Sequence, residues 1–526
     1  MSITKVNRSA ATLSKNRTPD SVSPFSGMCA TCVEGCIGMC EIGKSAIRGP
    51  ECIYPQPFGV MTAASEKEYP VDFSHFNIMG TAVGAHGVAA DSEHAVFTAV
   101  NIETTIGDKN PIKLRLPFVV PGLGSTYVAK RNWDALAVGC AISGTILTIG
   151  ENVCGMDDES VIKNGKIAKS PDMENRIKTY RDWQLKGYGD IVVQFNVEDT
   201  NLGVPRYVLQ DLGVETVELK WGQGAKDIGG EVRLKTIEKA REMKGKGYIV
   251  LPDPDDPEVI ESFKVGGVKD FERHSRLGMV SEEGFAEGVQ GMRDLGAKRV
   301  FLKTGAYRPV DLARAVRYAS DNRIDMLTVD GAGGGTGMSP WRMMNEWGIP
   351  TIELCSLTYE YVDYLAKQGK YVPSVVFAGG ITLEDQIVKA IALGAPYVKA
   401  IGMARSVLAA AMVGKTIGNR VLEGDLPVYI ERFGTTMDEV FITGVHLKDT
   451  YGDDFENLHP GAIGVYTYYE RLAQGIRQLM AGTRKFALEY VSRDDICALT
   501  RDAADISGIS FVTEVDKEDA WAIIKG

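Results

Sequence analysis

The chain lacks a run of about eighteen uninterrupted apolar residues, so nothing in it reads as a membrane-spanning helix. Its first twenty residues are polar with scattered basic side chains and lack the apolar segment of a signal peptide, so a cytoplasmic protein is expected. A basic excess is missing too. Fifty-eight Lys and Arg face 69 Asp and Glu, a formal net charge of −11, which speaks against nucleic-acid or membrane-surface partners. A disulfide framework is equally disfavoured, because a long cytoplasmic chain keeps its thiols reduced.

Of the nine cysteines, five crowd into one stretch as Cys29, Cys32, Cys36, Cys40 and Cys52, with the spacing C-x2-C-x3-C-x3-C-x11-C. Thiolates packed so closely point to a metal. An iron-sulfur cluster, a 4Fe-4S cubane on four of the five, is the first reading, since short cysteine runs with interleaved glycines hold such clusters. Zinc on four thiolates competes, and a metal-free segment is the third possibility. Spacing does not decide which cysteine is left over.

The 526 residues leave room for a barrel of about 250 residues with two appended regions. Residues 1–25 read as a flexible arm, 26–113 as the Cys-rich and connecting region, 114–421 as a barrel and 422–526 as a helical C-terminal region. Eight strand candidates alternate with helical segments: Leu116 to Val120, Ile146 to Ile149, Ile191 to Phe195, Val217 to Trp221, Val300 to Lys303, Met326 to Asp330, Val375 to Ala378 and Val398 to Ile401. That alternation and that number predict an α/β fold, a (β/α)8 TIM barrel. Two apolar pieces, Ile249 to Leu251 and Ile352 to Leu354, are left as insertions. Helices are expected at Tyr468 to Leu479 and near Asp494 to Ala503.

Met326 to Asp330 runs into a glycine-rich stretch that lets backbone approach a ligand, because no Cβ intervenes. VVFAGG and YVKAIG end the last two strands in glycine as well, where the late loops of a (β/α)8 barrel hold a phosphate. A dinucleotide fingerprint fits poorly, since Thr336 stands where G-x-G-x-x-G needs its third glycine.

Polar residues fall at the C-terminal strand ends, where such barrels keep their active sites. Gly124 and Ser125 follow the first strand in PGLGST, and Glu151 and Cys154 the second in IGENVCGMD. Gln194 ends the third, Lys220, Gln223 and Lys226 close the fourth in KWGQGAK, and Lys303 closes the fifth in FLKTG. Singly, each lysine is a candidate for a solvated surface charge. Together on one mouth, they call for an anionic ligand.

KWGQGAK, GGGTGMSP and FAGGITLEDQIVKAIALGAPYVKAIGMA, in that order, resemble the FMN-binding synthase domain of glutamate synthase, with PGLGST and IGEN resembling two further motifs. The likeness runs from Leu116 to Val421 and implies a (β/α)8 barrel that binds FMN. In glutamate synthase itself the domain reduces 2-iminoglutarate formed from 2-oxoglutarate and ammonia. Carried over, Ser125, Gln194 and Lys303 would meet the flavin ring beside Gly124. Gly334, Gly335, Thr336, Gly379, Gly380, Gly402 and Ala404 would line the FMN tail and phosphate. Glu151, Lys220, Gln223 and Lys226 would hold the substrate, a 2-oxo acid or amino acid. A role for Cys154 beside them is weighed against simple packing.

The chain departs from the family in three ways. The amidotransferase domain with its nucleophilic cysteine is not seen, so ammonia is expected either free or from a separate subunit. The family's cluster-binding cysteines after the last barrel strand are replaced by MVGKTIGNRVLEGDLP, so the Cys29 to Cys52 segment is expected to take electrons from a ferredoxin-like donor instead. Ala332 and Gly333 replace a polar pair, and NVCGMD replaces glycines after Glu151, which opens the substrate to a different amine, amino acid or imine. A non-catalytic electron relay is the third reading. It has no use for an anion-binding mouth. A homo-oligomer is the expected assembly.

Overall fold

A computed structural model describes residues 34, 41–48, 65, 67, 69–224, 231–336 and 339–526. The five clustered cysteines and Lys226 fall outside that set. At its centre, eight parallel strands close into a barrel: β1 (Phe118–Leu123), β2 (Ile146–Ile149), β3 (Asp190–Phe195), β4 (Thr216–Lys220), β5 (Arg299–Thr304), β6 (Met326–Asp330), β7 (Ser374–Ala378) and β8 (Val398–Gly402). Each strand pairs with its neighbour in sequence, and β8 returns to β1. All eight expected strands are present.

The helices between strands form for reasons readable locally. Pro309–Asp321 starts with proline at its first turn and buries Leu312, Ala315, Val316 and Ala319, a spacing of three and four that makes one apolar stripe. Trp133–Ser143 is apolar nearly all round and almost wholly buried, because the C-terminal region covers its outer face.

That cover is the long helix Pro460–Gly482, lodged between Trp133–Ser143 and Arg405–Glu423. Glycines set the close approach. A Cβ on Gly414 would stand 2.9 Å from the Gly464 Cα, and one on Gly461 would stand 2.6 Å from both the Ala135 Cβ and the Ala411 carbonyl. The C-terminal region is not purely helical. Where a helix is expected near Asp494 to Ala503, Ile496–Ala498 forms a strand antiparallel to Phe76–Ile78, and a helix begins only at Arg501.

The N-terminal end of the barrel is plugged by a hairpin, Thr104–Ile106 with Ile112–Leu114. Its Ile106, Ile112 and Leu114 pack against inward side chains of the strands, among them Val119, Ile146, Val192, Phe301, Met326 and Val376. This apolar floor closes one end. The other remains for chemistry.

Between β4 and β5 the chain leaves the barrel to build a three-stranded antiparallel sheet from Glu231–Leu234, Phe271–His274 and Ile249–Leu251, in that spatial order. Ile249 to Leu251 is therefore an insertion strand, as expected. Ile352 to Leu354 is not an insertion: it lies in the first turn of Thr351–Lys367, the barrel helix after β6. Continuous helical burial through Leu354, Cys355, Thr358 and Val362 absorbs the short apolar run. Among the described residues no helix is long and apolar enough to cross a membrane.

Phe301 is fully buried in the floor. Phe301→Ala is expected to cost about 3–5 kcal/mol, as transfer and cavity terms add, and to lower the thermal unfolding midpoint of the purified protein.

Candidate active site

Above the apolar floor, the next inward positions of the strands carry Thr148, Gln194, Glu218, Lys303, Thr328, Ala378 and Gly402, following the two-residue alternation of a pleated strand. Five polar residues thus occupy one arc, while small residues form the wall on β7 and β8. Gln194 donates from Nε2 to the Glu218 carboxylate at 2.5 Å. Its Oε1, and the hydroxyls of Thr148 and Thr328, are buried without a protein partner. Orphaned buried polar atoms are costly, so this arc suits a ligand with donors and acceptors along one edge.

Lys303 is 4 % exposed and lies 3.2 Å from the Asp330 carboxylate across the β5–β6 junction. Burial disfavours its ammonium, but Asp330 and Glu218 outweigh that, and its pKa is raised. Burial pushes the Glu218 carboxyl up, against the pull of Lys303, the hydrogen bond from Gln194 and the charge of Lys220. A permanent cation thus stands beside a carboxyl biased toward its protonated form.

Higher on the mouth, Lys220 Nζ donates to Glu151 Oε1 at 2.6 Å and to Gln223 Oε1 at 2.9 Å. The Lys220 and Glu151 side chains are only 12 % and 21 % exposed, which sets them apart from solvated surface charges. Strand β4 explains the geometry: Glu218 and Lys220 alternate with outward Val217 and Leu219, so both charges reach the interior.

Two glycine contacts bring loops together. A Cβ on Gly124 would stand 2.5 Å from the Glu151 carbonyl, and one on Gly150 would stand 2.5 Å from the Gly124 nitrogen, so the β1 and β2 ends touch only because neither has a side chain. Across the barrel, Gly379 has φ +126°, and a Cβ there would lie 2.4 Å from Thr351 Oγ1. Thr351 Oγ1 bonds to the carbonyls of Gly379, at 2.7 Å, and Ala332, at 3.1 Å, tying the β6 and β7 loops together. Gly334 is buried against Asp330, while Gly335 and Gly380 are exposed on the rim. Gly402 fits between Ala378 and Pro121, and Ala404 immediately precedes helix Arg405–Glu423.

The structure therefore brings Glu151, Lys220, Gln223, Gln194 and Lys303 to one end of the barrel, with Gly124 and the half-buried Ser125 on the adjoining β1 loop. Thr336 follows Gly335 on the β6 loop, half-buried. Cys154 does not join them. It is fully buried in the main hydrophobic core, and burial first, then the charge of Asp199, hold its thiol protonated. A packing role replaces the chemical one. Cys140, Cys355 and Cys497 are buried as well. Among the described residues no group of three or more His, Cys, Asp or Glu is placed to hold a metal.

Glu218, Asp330, Thr148 and Thr328 carry no role in the sequence reading. The signal for Glu218 was a charged residue inside an apolar strand, alternating in phase with Lys220.

A closed (β/α)8 barrel with a charged, glycine-walled cleft at the C-terminal ends of its strands is the architecture of a small-molecule enzyme. Residues 272–413 match the family model described as the conserved region in glutamate synthase. A glutamate synthase large subunit-like protein of Rhizobium meliloti is 23 % identical over 492 residues, covering 90 % of this chain and 92 % of its own. One from Bacillus subtilis is 30 % identical over 190 residues, 35 % of this chain and 32 % of its own. The chain thus resembles glutamate synthase large subunit-like proteins, and its residues 272–413 match the conserved region of glutamate synthase. Among solved structures, a soluble mutant of (S)-mandelate dehydrogenase from Pseudomonas putida aligns at a TM-score of 0.43 and 15 % identity, over 81 % of this chain and 88 % of its own. The family match spans β5 to β8, the half with Lys303 and the glycine wall; Glu151, Lys220 and Gln223 lie outside it.

Lys303→Met would leave Asp330 and Glu218 buried without their cation and is expected to cost about 3–5 kcal/mol in denaturant unfolding. Adding Asp330→Asn should recover part of that loss, so the double variant is expected to unfold at a higher denaturant concentration than Lys303→Met alone.

Proposed function

We propose that this protein is an FMN-dependent oxidoreductase that reductively aminates a 2-oxo acid, converting 2-oxoglutarate and ammonium, with two electrons and two protons, to glutamate and water. The observation that carries this reading is the close Glu151–Lys220 pair held at the barrel mouth beside Gln223. An adjacent carboxylate and ammonium complement the two ends of an amino acid, whose carboxylate matches Lys220 and whose nitrogen matches Glu151.

The orphaned Gln194, Thr148 and Thr328 atoms and the glycine-built wall suit FMN. Gln194, Ser125, Gly124 and Lys303 would hold its ring, and Gly334, Gly335, Thr336, Gly379, Gly380, Gly402 and Ala404 its tail and phosphate. When bound, FMN supplies the hydride; the protein's share is orientation and electrostatics. Lys303 contributes fixed positive charge close to where negative charge accumulates on reduction. Glu218, whose carboxyl is pushed up by burial against the pull of Lys303, holds the Gln194 amide on the interior side of that cation. Lys220, Gln223 and Lys226 orient the anionic substrate, and Glu151 holds its nitrogen.

Electrons are proposed to arrive from a ferredoxin-like donor through a 4Fe-4S cluster on Cys29, Cys32, Cys36, Cys40 and Cys52, of which four ligate. Ammonia is either free or delivered by a separate subunit, and the reaction is placed in the cytoplasm. The alternative is the same flavin chemistry on another amine, amino acid or imine, favoured by NVCGMD after Glu151 and by Ala332 and Gly333 on the β6 loop.

Anaerobically reduced protein mixed with 2-oxoglutarate and ammonium is expected to regain oxidised flavin absorbance. If an amine bleaches the oxidised flavin while 2-oxo acids leave the reduced form unchanged, the alternative holds. Lys220→Met is expected to weaken substrate binding roughly 10–100-fold, the loss of a charge-assisted hydrogen bond, while keeping flavin. Iron analysis and electron paramagnetic resonance of anaerobically purified protein are expected to show a cluster; zinc without iron would remove it from the scheme.

A further inference from the structure

The sheet inserted between β4 and β5 does more than lengthen a loop. Its side chains reach back to the turn that carries Glu151 and seize that turn at several points. Asn152, the next residue, adopts φ +66°, a left-handed conformation that asparagine tolerates better than most side-chain-bearing residues and that turns the chain sharply after Glu151. Its Oδ1 accepts a hydrogen bond from the Tyr248 hydroxyl at 3.1 Å, and its backbone N–H donates to the buried Asp199 carboxylate at 3.0 Å. Gly155 makes the entry of Tyr248 possible: a Cβ there would lie 2.0 Å from the Tyr248 hydroxyl oxygen. Lys246 donates to the carbonyls of Gly155 at 2.9 Å and Asp157 at 3.0 Å. Behind Tyr248, the guanidinium of Arg273 lies 4.7 Å over its ring, and Arg273 is 1 % exposed.

We propose that the inserted sheet is a clamp for the substrate-holding carboxylate, with Tyr248 as the positioning residue that acts on Glu151 through Asn152. This rests on the reading of Glu151 and Lys220 as the substrate-holding pair. The physical case is one of supply and demand. A left-handed turn has other conformations open to it unless its contacts hold it, and a shift of the Glu151 backbone would pull its carboxylate from Lys220. The barrel supplies one anchor, Asp199 on the β3 loop; the insertion supplies the others. Arg276, just past the sheet, is bonded to Glu198 at 2.9 Å, so the same insertion grips the β3 loop next to Asp199. The clamp thus fixes the β2 and β3 loops relative to each other. Its residues act on substrate binding through the β2 and β3 loops.

The test compares wild type, Tyr248→Phe, Asn152→Gly and the double variant, each as full-length flavin-loaded protein. Asn152→Gly preserves the left-handed backbone and the N–H to Asp199 while deleting the acceptor for Tyr248. Hydrogen–deuterium exchange of the peptide containing residues 150–156 is expected to quicken about 10-fold in Tyr248→Phe and no further in the double variant. KM for 2-oxoglutarate is expected to rise about 10-fold with kcat changed less than 2-fold and flavin content constant. Exchange unchanged in Tyr248→Phe, or additive effects in the double variant, overturns the clamp. The exchange measurement needs no substrate. It therefore decides the clamp even where wild type fails to bind or reduce any 2-oxo acid, the result that would overturn the functional reading instead.

Discussion

Charge removed from water has to be answered by charge, and the mouth of this barrel is organised by that requirement. Lys303 is buried among Asp330 and Glu218, and Lys220 bridges Glu151 and Gln223 a layer above. Lys303 has no bulk water to lean on and Lys220 has little, so the carboxylates are as necessary as the lysines. The arrangement is self-consistent without ligand and still leaves polar atoms on Gln194, Thr148 and Thr328 unanswered. Pre-formed charges and unanswered polar atoms together make the cleft a recognition surface as well as a packed core.

Two structural economies keep that surface in place. The hairpin at the opposite end fills the barrel with Ile106, Ile112 and Leu114, so polar groups gather at one end only. Glycines then take the positions where loops must touch: Gly124 against Gly150, and Gly379 against Thr351, where any side chain would force the loops apart. The β6 and β7 loops become a single wall through the Thr351 hydroxyl. The helix Pro460–Gly482 uses the same device on the outside, resting on Gly414 and Gly418 to close the gap between the first and last barrel helices.

The family match and the local geometry divide the site in the same place. The half spanning β5 to β8 carries Lys303 and the glycine wall and falls within the conserved region of glutamate synthase. The other half carries Glu151 and Lys220, outside that region, while the inserted sheet straddles its edge, its central strand Phe271–His274 entering the match at residue 272.

Most of the architecture was legible along the chain, because a strand buried on both faces reads as a short apolar run and a barrel helix as a three-and-four stripe. All eight strands and the residues at their C-terminal ends follow from that pattern, as do Glu151, Lys220, Gln194 and Lys303 as mouth residues. Cys154 was left open between chemistry and packing because a position one turn after a strand can face the cleft or the core, and only packing chooses. Ile352 to Leu354 misled for a similar reason: three apolar residues are too few to reveal a helical period. Glu218 and Asp330 passed unremarked inside apolar strands, since a carboxylate in a strand declares its value only when the opposing cation is known. Sequence alone thus determined the order of elements and the chemical types at the strand ends, which depend on local periodicity. Tertiary structure decided which charges pair, which glycines touch and that an insertion some hundred residues after Asn152 holds its turn, because those are contacts between segments distant along the chain that only barrel closure brings together.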